Sequence, residues 1–123
     1  MPASTSPSTT ETVAPIALRP QEWAIVKHIL QAEVPQLEVW AFGSRARRDA
    51  KPYSDLDLAL IAPTPLPLDK LACINDAFET SDLTMRVDIV DWASTGEAFR
   101  AIIAGDKVVV QQGPLAAVMV SGL

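Results

Sequence analysis

Apolar positions along the chain fall into two kinds of pattern. Three stretches repeat every three or four residues, as one face of a helix does. Trp23, Val26, Ile29 and Leu30 mark a helix over 20–33. Leu71, Ile74 and Phe78 mark one over 68–80, and Phe99, Ile102 and Ile103 mark one over 95–104. Four other stretches alternate or run continuously apolar, as strands do. These are LEVWAF (37–42), DLDLALIA (55–62), TMRVDIVDW (84–92) and KVVVQ (107–111). Gly43-Ser44 ends the first strand abruptly and opens a short helix to about Asp49. The order is helix, strand, short helix, strand, helix, strand, helix, strand. It predicts a small α/β (α+β) domain with helices packed on a mixed sheet.

Punctuation supports these boundaries. Pro20 suits a first helical turn, Pro35 closes the first helix, and Pro63, Pro65 and Pro67 make 63–67 a linker loop. Ser94 followed by Glu97 fits a capping box, and Gly105 suits a helix C-terminus. Residues 1–17 are mostly Ser, Thr, Pro and Ala, and read as a disordered leader. The folded domain is expected over 18–112, followed by an apolar tail at 113–123. His28 lies off the helical stripe and reads as a surface side chain. Cys73 is expected to pack beside the buried face of its helix as a small hydrophobe.

Composition narrows the class. With 123 residues, 49% of them hydrophobic and 20% charged, the chain has room for one modest core. A net charge of -5 argues against a protein held on DNA or RNA through phosphates. No apolar run is long enough to span a membrane. One cysteine and no secretory signal pattern fit a cytoplasmic protein.

Chemistry concentrates between residues 43 and 57. Residues two apart on a strand share a face, so Asp55 and Asp57 set two carboxylates side by side. Each raises the other's pKa, a cost that a divalent cation removes. Oxygen ligands without His or Cys suit Mg²⁺ or Mn²⁺. Gly43 lets the backbone approach a phosphate, and Ser44 stands where helix N–H groups are free to bind one. Arg45, Arg47, Arg48 and Lys51 follow, four of the chain's ten Lys plus Arg within seven positions. Arg45 and Arg47 are candidate phosphate contacts. A third carboxylate is sought in VDIVD (87–91). Val87 and Ile89 share the core face, so Asp88 takes the opposite one and is chosen over Asp91.

Three segments taken together, Gly43-Ser44-Arg45-Ala46-Arg47, Ser54-Asp55-Leu56-Asp57-Leu58-Ala59-Leu60 and Val87-Asp88-Ile89-Val90-Asp91, resemble the minimal nucleotidyltransferases. These are small members of the DNA polymerase β-like superfamily, related to the kanamycin nucleotidyltransferase domain. The resemblance spans about Glu38 to Gln111. It implies two metal ions held by Asp55, Asp57 and Asp88, and a nucleoside triphosphate, ATP above all, gripped at Gly43 and Ser44. It implies transfer of AMP to a hydroxyl acceptor. It also implies a small helical partner in a hetero-oligomer: a HEPN-type toxin that the enzyme neutralises, or a substrate-binding subunit serving a small molecule. A binding module that inhibits its partner without catalysis is the rival from another class. One departure stands out: the family often has glycine where this chain has Arg48. If that position takes a positive φ, arginine strains the turn by roughly 1 kcal/mol.

Overall fold

A computed structural model describes residues 14–113. It comprises α1 (Pro20–Glu33), β1 (Glu38–Phe42), the single-turn α2 (Ser44–Arg47), β2 (Leu56–Ile61), α3 (Leu68–Glu79), β3 (Val87–Asp91), α4 (Glu97–Asp106) and β4 (Val108–Gln111). A 3₁₀ turn, Trp92–Ser94, links β3 to α4. The strands form one mixed sheet in the order β3-β2-β1-β4. β1 runs antiparallel to both β2 and β4, whereas β2 and β3 are parallel, with α3 as the crossover that parallel strands need. The expected element order and mixed sheet are both present.

Strand parity divides the sheet into two faces. Val39, Ala41, Leu56, Leu58 and Leu60 face the main core, where they meet Val26, Ile29 and Leu30 of α1 and Ile74 and Phe78 of α3. Trp40, Phe42, Ala59 and Ile61 face the other way, onto Ile103 of α4. Leu56, Leu58, Ala59 and Leu60 are fully buried, so a one-residue slip of β2 would put Asp57 into the main core.

Several local expectations shift. The domain starts before residue 18, because Ala14 and Ile16 are buried in the main core. A Ser/Thr/Pro-rich composition hid one well-placed isoleucine. Residues 1–13 and 114–123, including most of the apolar tail, lie outside the described residues. β3 is shorter than 84–92. α4 begins at Glu97 with Gly96 as its N-cap, because the Ser94 hydroxyl donates to Asp91 Oδ2 at 3.0 Å instead of capping the helix. Gly105 lies inside α4, which ends at Asp106. Cys73 is exposed. The buried stripe of α3 runs through Ile74 and Phe78, and the residue preceding Ile74 is turned about 100° off it. His28 is exposed, as expected.

Arg45 is the clearest reassignment. It was expected at phosphate, yet it is 5% exposed and its guanidinium faces inward. Nε donates to the Ser54 carbonyl (2.9 Å), Nη1 to Ala17 (2.8 Å) and Nη2 to Pro52 (3.1 Å). One side chain thereby ties α2 to the segment before α1 and to the turn that leads into β2. The planar fork can reach three acceptors at once, which an ammonium cannot do in the same geometry. Arg45→Lys should therefore lower unfolding free energy by about 2 kcal/mol, and Arg45→Ala by about 3 kcal/mol or more. Urea titration followed by circular dichroism measures both.

Candidate active site

Gly43 closes β1 with φ +79°, a backbone state that L side chains resist. Phe42 pairs in register with Asp57, which brings the following turn against that carboxylate. A Cβ on Gly43 would meet Asp57 Oδ2 at 2.5 Å. Glycine is thus required twice, by the torsion and by the close approach. Beyond it, the first turn of α2 presents Ser44 and N–H groups that have no intrahelical acceptor. Arg48 ends that turn in the left-handed region, φ 64° and ψ 28°, as feared for the position that is often glycine, and donates to the Ala14 carbonyl at 2.9 Å.

The parallel register sets Asp57 directly opposite Asp88, both on the sheet face away from the main core. Asp55 sits one residue before β2 and is exposed. Asp57 is half-buried, and its carboxyl is pushed up from 3.8 to about 6. Burial is the largest cause, followed by repulsion from Asp88 and then Asp55; Arg47 opposes the rise. Among the described residues no three carboxylate, His or Cys groups are already gathered into a metal cage. Asp88 Oδ1 is instead held by Arg86 Nε at 3.2 Å. Even so, the donor set fits a divalent cation. It contains only hard oxygens, its members repel one another enough to help raise the pKa of Asp57, and Asp57 is short of solvent.

Asp91 has a different occupation. Its Oδ2 accepts from the Leu66 N–H (3.1 Å) and the Ser94 hydroxyl (3.0 Å), and its Oδ1 is buried without a hydrogen-bond partner. It ties the linker loop to the end of β3 and does not share a face with Asp57. Arg47 is partly exposed and pairs with Asp106 (2.8 Å) and Asp49 (3.3 Å). Sequence reasoning did not single out Arg86. The available signal was its position two residues before Asp88, on the same strand-like face.

A family model described as "Polymerase beta, Nucleotidyltransferase" matches residues 25–114. The chain belongs to the polymerase beta nucleotidyltransferase family. This nucleotidyltransferase is 50% identical over 99 residues to the probable protein adenylyltransferase MntA of Haemophilus influenzae, covering 80% of this chain and 87% of the relative. Its fold resembles that of a toxin–antitoxin crystallised with AMP-PNP (TM-score 0.65, 19% identity, 80% of this chain and 78% of the other). It also resembles a chain from the complex of a tri-AMPylated HEPN toxin with an MNT antitoxin from Shewanella oneidensis (TM-score 0.60, 18% identity, 81% and 76%). At these identities the structural likeness speaks for the fold. Among the described residues no helix is long and apolar enough to cross a membrane.

Two predictions follow from the geometry of this nucleotidyltransferase. Asp88→Asn should cost at least about a hundredfold in nucleotide transfer while leaving thermal stability nearly unchanged. Asp91→Asn should cost little activity but lower stability, and steady-state rates with melting curves separate the two. The second concerns pH. Asp57 holds its proton to about pH 6 in the folded chain but releases it near pH 4 when unfolded. Its contribution to stability is therefore full below about pH 4 and is lost as pH rises through about 6. In EDTA, Asp57→Asn should melt above the wild type at pH 8 by about 1 kcal/mol, after allowance for solvent screening, and match it near pH 4. Scanning calorimetry at the two pH values measures the difference.

Proposed function

We propose that this nucleotidyltransferase transfers AMP from ATP to a hydroxyl group of a HEPN-type partner protein, in a hetero-complex where it acts as antitoxin. The observation that carries the reading is the register pairing of Asp57 with Asp88, set beside the Gly43 turn. Likeness to a protein adenylyltransferase across most of both chains supports the choice of acceptor. The reading places the reaction in the cytoplasm.

In this mechanism the Gly43–Ser44 turn holds the β- and γ-phosphates through backbone N–H groups and the Ser44 hydroxyl. Arg47 releases Asp106 and Asp49 and turns to the triphosphate. Arg45 stays buried and acts only by keeping α2 in place. Asp55, Asp57 and Asp88 would hold two divalent cations, Mg²⁺ or Mn²⁺, which lower the acceptor hydroxyl's pKa and balance charge on the departing oxygens. Asp88 exchanges Arg86 for this role and takes up the acceptor proton. The acceptor oxygen bonds to the α-phosphorus as the bond to the pyrophosphate oxygen breaks.

Incubation with the HEPN partner, Mg²⁺ and ATP labelled in the α-phosphate tests the reading. The partner should gain label, and Asp57→Ala should reduce transfer by about a thousandfold or more without loss of fold. An unlabelled partner beside a labelled small-molecule hydroxyl would contradict the choice of acceptor.

A further inference from the structure

β3 is an edge strand, and it carries Asp88. The Leu56 N–H donates to the Arg86 carbonyl at 2.9 Å. In a parallel ladder alternate residues turn their backbone groups to the neighbour. Asp88 and Val90 therefore face β2, and Val87 and Ile89 face outward. Among the described residues no backbone hydrogen bond engages the outward groups of these two. An open edge with free N–H and C=O groups is a template for another strand. Here the free groups flank the carboxylate to which an acceptor must come.

The surroundings fit such an addition. A groove of about 590 Å³ opens along the start of β3, lined by Phe78 and Glu79 of α3, Leu83, Met85 and Arg86 of the preceding loop, and Val87. Its floor is partly apolar. An antiparallel segment bonded to Val87 and Ile89 places its middle residue in the non-hydrogen-bonded position opposite Asp88, with Cα atoms about 4.5 Å apart. That side chain lies on the face of Asp57 and Asp88. The residues on either side of it point the other way, toward the groove and the Phe78 side of the sheet.

We propose that the acceptor protein docks by adding an extended segment to the free edge of β3, with its hydroxyl-bearing residue opposite Asp88 and apolar residues on either side. The proposal rests on the reading of a protein acceptor given above, and it names how that acceptor is held. Glu79, the groove carboxylate that the mechanism leaves without a cation, favours a segment that also carries Lys or Arg.

Amide hydrogen exchange of the full chain with α,β-methylene-ATP, whose α–β bridge cannot be cleaved, with and without the HEPN partner, tests it. The Val87 and Ile89 amides should slow by about tenfold or more when the partner is added. Thr84→Arg, at an exposed position lining the groove, should raise the KM for the partner about tenfold and leave ATP binding unchanged. Unchanged exchange at Val87 and Ile89 overturns the proposal whatever the variant does. Protection that appears without partner and rises with chain concentration marks a second copy at this edge, and also overturns it. A wild-type chain that labels no HEPN protein defeats the functional reading itself.

Discussion

Two carboxylates on neighbouring strands repel one another, and the fold nevertheless pins Asp57 opposite Asp88 by burying Leu56, Leu58 and Leu60 on the far side of β2. Strand period makes this arrangement all or none. Either the leucines are in the core and the aspartates share the open face, or both are misplaced. The apolar side stabilises a geometry that the polar side opposes. Burial does most to raise the pKa of Asp57, repulsion from Asp88 adds to it, and Arg86 and Arg47 stand paired with Asp88 and Asp106. A cation and a triphosphate would replace those arginines with stronger partners. Binding then relieves electrostatic cost already present in the folded chain.

The glycine turn and the buried arginine make the arrangement rigid. Gly43 can lie against Asp57 only because it lacks a side chain, so the Gly43 turn and the carboxylate pair are positioned by one contact. Arg45 holds that turn from behind through three carbonyls, in segments as far apart as Ala17 and Ser54. Arg48 adds a link from the same turn to Ala14, at the expense of a left-handed torsion. Of the arginines in α2 and its cap, then, Arg45 and Arg48 are spent on architecture and only Arg47 is free to move.

What the sequence showed and what it hid divide along physical lines. Parity within a strand is local, so the placement of Asp88, and not Asp91, on the face of Asp57 was legible in the residue order, as the mixed sheet was in the order of elements. The roles of Arg45 and Ile16 were not, because each is defined by contacts with distant segments. Three arginines in four residues look alike until the fold decides which one points inward. Ser94 misled for a related reason: its spacing to Glu97 fits a cap, but Asp91 competes for its hydroxyl and wins. Cys73 lies one residue off a buried stripe, within the uncertainty of any helical phase read from three residues.

Diffraction from crystals grown with Mn²⁺ and AMP-PNP tests the central claim most directly, since Mn²⁺ is located by its anomalous signal. Mn²⁺ should lie about 2.0–2.2 Å from carboxylate oxygens of both Asp57 and Asp88, with the triphosphate against Gly43 and Ser44. Asp88 should no longer be paired with Arg86. Mn²⁺ bound elsewhere, or a triphosphate seated away from the Gly43 turn with the Asp88–Arg86 pair intact, would contradict it.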